Sequence, residues 1–173
     1  KELPAKALDE ILTDHAEVFT ELKEYYKQTS ESDTTKISFY EDTYSLYNLY
    51  RFAHYYEEAY GKYIWLKSGA SLVIEHTEAM TVIDVNTGSV LKKKKQEDTL
   101  FYQINREAAK EIARQLRLRN ISGIIMIDFI NMKDTAQKEK LLSLLDSECK
   151  KDRVHCNVID MTALNLVEMT RSK

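Results

Sequence analysis

Two kinds of apolar spacing alternate along this chain. Short runs carry the two-residue period of a strand or are solidly β-branched. Longer stretches between them repeat apolar residues three and four apart, as a helix face does. Residues 10–13 predict a short strand, and Asp14 predicts the N-cap of a helix reaching about 28, with Val18, Phe19, Leu22, Tyr25 and Tyr26 on one face. Residues 29–35 form a polar Ser/Thr/Asp loop, and 36–40 alternate like a half-buried strand. A helix is expected over 45–59, with Leu46, Leu49, Tyr50, Ala53 and Tyr56 as its stripe and Gly61 as its stop. Strands at 63–66 and 71–75 flank Lys67-Ser68-Gly69-Ala70, a hairpin turn.

The second half is more regular. A strand at 80–85 leads to a loop holding Lys92-Lys93-Lys94-Lys95, which reads first as a solvated loop and, beside an acidic metal site, alternatively as a grip on a polyanion's backbone. The strongest helix spans 97–119, with Ala108, Ala109, Ile112, Ala113 and Leu116 buried. Its other face holds Arg106, Lys110, Arg114 and Arg117, read as an ordinary mixed-charge surface ahead of the alternative that the arginines meet phosphates. Asn120 and Gly123 stop this helix before a buried strand at 124–130. Asp134 with Gln137 resembles a capping box, ahead of a stripe of Leu141, Leu142, Leu145 and Cys149. Residues 154–158 alternate as a further strand. Strands alternating with helices of this length predict an α/β fold, a layered sheet with flanking helices.

Composition narrows the function. The 173 residues suffice for one compact domain with a real core, and the 43% hydrophobic and 31% charged fractions are those of a soluble globular protein. No apolar run approaches the roughly 18–20 residues that cross a membrane, and the opening residues do not read as the apolar h-region of a signal peptide. Cys149 and Cys156 lack a CxxC spacing and read as reduced thiols of a cytoplasmic protein. A net charge of −3 argues against a uniformly basic nucleic-acid footprint. All eleven tyrosines but Tyr102 lie between Tyr25 and Tyr63, where helical spacing favours core and rim over base stacking.

The candidate chemistry sits in two strands. Ala79-Met80-Thr81-Val82-Ile83-Asp84-Val85-Asn86-Thr87-Gly88 and Gly123-Ile124-Ile125-Met126-Ile127-Asp128-Phe129 each set one aspartate in an apolar run. An isolated desolvated carboxylate is costly, so such a group is paired, protonated or bound to a cation. Two of them suggest hard-oxygen ligands at adjacent strand ends, suited to Mg²⁺. Asn86 shares a strand face with Asp84 and is suited to a phosphate oxygen or a water beside it. The intervening helix would return the chain to the sheet in parallel, leaving both carboxylates outside the strand ends, where sites in open α/β sheets lie. The bland alternative is that each aspartate pairs with an arginine or caps a helix.

The segments SGASLVIEHTEAMTVIDVNTG, NREAAKEIARQLRLRNISGIIMIDFINM and LVEMTR resemble the catalytic region of the ribonuclease E/G family. The similarity is dense from Lys67 to Met132, resumes at Lys151-Asp152-Arg153, and weakens towards Asp9-Glu10-Ile11-Leu12 and Lys36-Ile37-Ser38-Phe39. It implies a deoxyribonuclease I-like fold with mixed parallel and antiparallel strands. It also implies an endoribonuclease acting on single-stranded RNA in RNA processing and decay, leaving 5′-phosphate and 3′-hydroxyl ends by metal-activated water. In this resemblance Asp84 and Asp128 hold Mg²⁺ and Asn86 assists at the scissile phosphate; neither aspartate-bearing run, 79–88 or 123–129, contains a histidine, so His54 and His76 are read as structural or surface residues. His155 corresponds to the pocket for an RNA 5′-monophosphate, where the family often has arginine. Two further departures are Asn131, where the family has aspartate, and Asn165, where glycine is common.

The organisation expected is an N-terminal α/β segment at 1–66, continuous with a metal-bearing catalytic core at 67–173. The family's RNA-clamping barrel and paired-cysteine zinc link fall outside these residues. The expectation is therefore a piece of a longer protein, homo-oligomeric at full length, with weak or no activity alone and degradation-complex partners not identifiable. A non-catalytic RNA-binding or assembly module of the same family is the competing reading. Another metal phosphoesterase of the same fold, acting on a small molecule or lipid, is a third.

Overall fold

The computed structural model describes residues 8–28, 35–88 and 97–172. It has two compact units, Lys1–Glu57 and Glu58–Lys173. Residues 29–34 of the loop predicted over 29–35, and the lysine block at 92–95, lie outside the described residues. No helix among the described residues is long and apolar enough to cross a membrane.

In the first unit, β1 (Glu10–Thr13) and β2 (Lys36–Phe39) pair in parallel, with α1 (Ala16–Gln28) between them in sequence. Parallel strands need such a crossover. Phe19 of α1 meets Phe39 of β2 at 5.3 Å between ring centroids. The single helix expected over 45–59 is instead two, α2 (Leu46–Leu49) and α3 (Phe52–Tyr60). Ser45 caps α2 by accepting from the Asn48 N–H. The break falls at Arg51, whose φ of 51° is left-handed and cannot continue an α-helix. The tyrosines also depart from the core-and-rim expectation. Tyr26 is buried, but Tyr44, Tyr47, Tyr50, Tyr55 and Tyr56 are each about half exposed or more.

The second unit is built on a six-stranded sheet ordered β3-β4-β5-β6-β8-β7. Its strands are β3 (Tyr63–Trp65), β4 (Ser71–His76), β5 (Met80–Asn86), β6 (Gly123–Asp128), β7 (Cys156–Met161) and β8 (Leu166–Arg171). β3, β4 and β5 form an antiparallel meander, and the Leu66–Ala70 turn closes as predicted, with Leu66 N–H donating to Ala70 O. β5 and β6 are parallel, joined through α4 (Glu97–Leu118). β8 then runs antiparallel to both β6 and β7, and α5 (Thr135–Cys149) precedes β7. The sheet is therefore mixed.

Alternation divides the sheet into a covered face and an open one. Ile83, Ile125, Ile127 and Val167 are fully buried beside Ile104, Ala108 and Ile112 of α4 and Leu141 and Leu145 of α5. Each buried Leu, Ile or Val contributes about 1.5–3 kcal/mol over leaving it in water. The intervening residues, including Val82, Asp84, Ile124, Met126 and Asp128, turn to the other face and are half-buried or exposed.

Three boundaries shift for local reasons. β6 ends at Asp128, not 130, because the N–H and C=O of Ile130 bond to a side chain instead of a strand. The strand expected at 154–158 begins at Cys156, since Val154 N–H turns back to Asp152 Oδ1. Asp134 caps α5 by accepting from Ala136 N–H, but Gln137 Oε1 is buried without a hydrogen-bond partner, so the capping box is not closed.

Candidate functional site

The parallel register sets Asp84 directly opposite Asp128, at the C-terminal ends of β5 and β6 and on the open face. Neighbouring strands run about 4.8 Å apart, so the two carboxylates leave the backbone side by side. Asn86 donates from Nδ2 to Asp84 Oδ2 at 2.7 Å, which orients that carboxylate and leaves its own Oδ1 free to accept. Partial burial, and then the negative charge of Asp84, raise the Asp128 carboxyl above the ordinary carboxylate range. Burial is milder here than the apolar runs imply. Asp84 is half-buried and Asp128 exposed, because strand alternation turns both away from the helices.

Like charges held at one strand edge fit a divalent cation. A cation there would relieve the repulsion that raises Asp128, and two carboxylates with waters suit Mg²⁺. No trio of His, Cys, Asp or Glu among the described residues forms a metal cluster. An ion would thus be held by the pair, with the amide of Asn86 beside it.

Two loops flank the carboxylates, and α4 holds both. Asn105 is fully buried; its Nδ2 donates to Ile130 O at 2.7 Å and its Oδ1 accepts from Ile130 N–H at 3.0 Å. That pair of bonds fixes the chain two residues beyond Asp128. Glu107 Oε1 accepts from Lys67 N–H at 2.7 Å and Oε2 from Ser68 N–H at 3.3 Å, pinning the β3–β4 turn. The same turn abuts the exit of β5. Gly88 has φ of +57°, and a Cβ there would stand 2.7 Å from Gly69 O. Only glycine fits that close approach. Asn105 and Glu107 lie within the segment NREAA, but nothing in their spacing names the backbone groups they reach.

The remaining candidates lie elsewhere. His155 is exposed at the start of β7, where its carbonyl accepts from Ser172 N–H. Asp128 faces Leu166 at one end of β8, whereas His155 lies beside the other end, about 17 Å along the strand. The structure therefore separates His155 from the carboxylate pair. His76 Nδ1 sits 3.0 Å from Thr81 Oγ1, and the His54 ring lies against Tyr55. On α4, Arg114 pairs with Glu111 at 2.8 Å, Arg117 donates to Glu148 O and Arg106 lies over the Tyr102 ring, as the mixed-charge reading expects. Asn131 is exposed. Asn165 has φ of 64°, which explains why glycine suits that position and why asparagine serves. Lys138 Nζ donates to its Oδ1 at 2.6 Å.

A buried ion pair ties the far end of the sheet. Arg171, 4% exposed, donates from Nε to Asp152 Oδ2 at 2.8 Å. Its Nη1 donates to Asn120 Oδ1 at 3.0 Å and Ile121 O at 2.9 Å. Burial pushes the Asp152 carboxyl up, but bonds from Arg171 and Val154 N–H, with the charges of Arg171 and Arg117, outweigh it and hold Asp152 below the usual range. Neither Asp84 nor Asp128 makes such an arginine pair among the bonds described.

Comparison with known proteins adds a family. The model of the Ribonuclease E/G family matches residues 1–173. Ribonuclease G of Escherichia coli K12 is 39% identical over 166 residues, covering 96% of this chain and 34% of that protein. Ribonuclease G of Haemophilus influenzae is likewise 39% identical over 166 residues, with 34% of its length covered. Ribonuclease E of Nostoc is 34% identical over 169 residues, with 24% of its length covered. The chain thus spans about a third or less of these relatives.

Proposed function

Since this chain belongs to the Ribonuclease E/G family, we propose that it is the catalytic part of an endoribonuclease hydrolysing single-stranded RNA in RNA processing and decay. The observation that carries the reading is the register of Asp84 against Asp128 on an open sheet face. On this reading the fold is deoxyribonuclease I-like, the site takes Mg²⁺, and the products carry 5′-phosphate and 3′-hydroxyl ends. The full-length protein would be a cytoplasmic homo-oligomer, and His155 would lie in a separate pocket for the RNA 5′ end.

Mg²⁺, when bound, supplies a Lewis acid that polarises the phosphodiester and makes a nucleophile of water near neutral pH. The chain's own residues do the rest. Asp84 and Asp128 stand side by side on one face of the sheet and would hold the cation between them. Asn86 keeps the Asp84 carboxylate in one rotamer, and its free Oδ1 is placed to accept from a water or a ribose hydroxyl. Asn105 and Glu107 keep the two flanking loops from drifting, which matters because small displacements of reacting groups cost large factors in rate.

The test is cleavage of an unstructured A/U-rich RNA by the full-length protein in Mg²⁺. Asp84→Asn and Asp128→Asn should each abolish cleavage while leaving thermal stability near wild type. A variant that cuts as fast as wild type removes that carboxylate from the site. RNA bound tightly by wild type but never cut identifies the non-catalytic module instead.

A further inference from the structure

The face that carries the carboxylates continues past them to the edge of the sheet. Asn86 stands opposite Ser71, and Ser71 opposite Trp65; in the next row, Asp84 stands opposite Val73, and Val73 opposite Tyr63. Two strand spacings put Trp65 about 10 Å from Asn86 on the same face. Ser71, between them, carries a small side chain. Trp65 is 73% exposed and Tyr63 59%.

An exposed apolar side chain is ordinary by itself. Trp65 differs in sharing a cross-strand row with Asn86, beside the carboxylate pair. Its ring is also open: among the described residues no aromatic or cationic group stacks on it, whereas the Lys62 amine lies 5.9 Å from the Tyr63 ring centroid. Lys62 is itself paired with Glu75, so it offers little net charge to a phosphate. The chain carries a net charge of −3, and two carboxylates stand at the site. Stacking on an aromatic ring needs no positive charge and accepts any unpaired base.

We propose that Trp65, with Tyr63 beside it, is a base-stacking platform that holds an unpaired base of a nucleotide near the scissile phosphate and draws the RNA strand across β3, β4 and β5. This rests on the ribonuclease reading above. It makes Trp65 a positioning residue, which acts on substrate binding and not on the reacting atoms.

The experiment uses the full-length protein and an unstructured RNA. Trp65→Ala should weaken binding about 5- to 150-fold, the range of a lost base stack, seen as a raised KM with kcat changed little. Trp65→Phe should restore most of it. Thermal melting of each variant controls for folding. Trp65 is the chain's single tryptophan, so its emission in the 173-residue chain reports directly. A single-stranded 2′-O-methyl oligouridylate of about eight nucleotides should quench it, and a duplex of the same length should not. Cleavage with an unchanged KM in Trp65→Ala overturns the platform and leaves the ribonuclease reading standing. So does oligonucleotide binding, followed by anisotropy, with no change in emission. If the wild-type protein neither binds nor cuts RNA, the ribonuclease reading itself is overturned, and this inference with it.

Discussion

Removing Arg171 should cost more stability than removing any surface charge of this protein. Its guanidinium is buried, and its Nε and Nη1 meet three acceptors on two turns: Asp152, Asn120 and the Ile121 carbonyl. Arg171→Met leaves the Asp152 carboxylate buried beside Val154 N–H and the weak Cys156 thiol donor, and the Ile121 carbonyl without that donor. Breaking one side of a buried pair costs about 3–5 kcal/mol, mostly the penalty of the charge left behind. At about 2–4 °C per kcal/mol for a protein of this size, Tm should fall by roughly 6–20 °C. Arg171→Lys should recover little, because an ammonium cannot reproduce the planar fork. The assay is urea unfolding followed by circular dichroism, with Asp152→Ala and the double variant completing a cycle. The coupling should reach about 2 kcal/mol or more.

The pH dependence of that coupling has a definite sign. Asp152 is depressed in the folded state, so its contribution is fully present above the ordinary aspartate value of about 3.9. It disappears as pH falls through the lower folded value. Wild type should therefore lose its advantage over Asp152→Ala only in strong acid, and keep it unchanged from pH 5 to 8. A single Arg171→Met variant costing less than about 1 kcal/mol, or a coupling near zero at neutral pH, would refute the argument that these turns are held by a desolvated ion pair.

Other outcomes follow from the geometry around the carboxylates. Asn105→Ala leaves the N–H and C=O of Ile130 without their partner, which should cost about 2–4 kcal/mol by urea unfolding and lower RNA cleavage more than the stability loss explains. Gly88→Ala meets Gly69 O at 2.7 Å in a left-handed conformation, whereas Gly123→Ala shares only the positive φ and has open space. Both should lose about 1–2 kcal/mol to the backbone, and only Gly88→Ala should lose cleavage as well. Burial pushes the Cys149 thiol up to about 12, so native protein at pH 8 should resist alkylation there, as mapped by mass spectrometry, and become reactive in urea.

The carboxylate site was legible from sequence because a strand's two-residue period shows which side chains share a face. An aspartate in each of two β-branched runs is enough to raise the question of a cation. The sheet's partners were less so. Asn105, Glu107 and Arg171 each bond backbone atoms remote in sequence, and no local pattern says which amide or carbonyl a polar side chain will reach. The tyrosine stretch misled for a related reason. Helical spacing identifies a face but not what covers it, and the break at Arg51 carries no glycine or proline to mark it. Alternation also has a second consequence that the apolar runs concealed, since it turned Asp84 and Asp128 outward where neighbouring isoleucines point in.

The parallel pairing of β5 with β6 bears on when the two carboxylates can meet. The β4–β5 hairpin is local and can close in microseconds once both strands are present. Asp84 and Asp128 become neighbours only after the whole of α4 has been made and docked, because parallel strands cannot meet through a short turn. Contacts between residues so distant in sequence form late and slowly. A nascent or partly unfolded chain would hold each carboxylate singly, without its neighbour. On the ribonuclease reading, hydrolytic competence would thus be coupled to completion of the sheet.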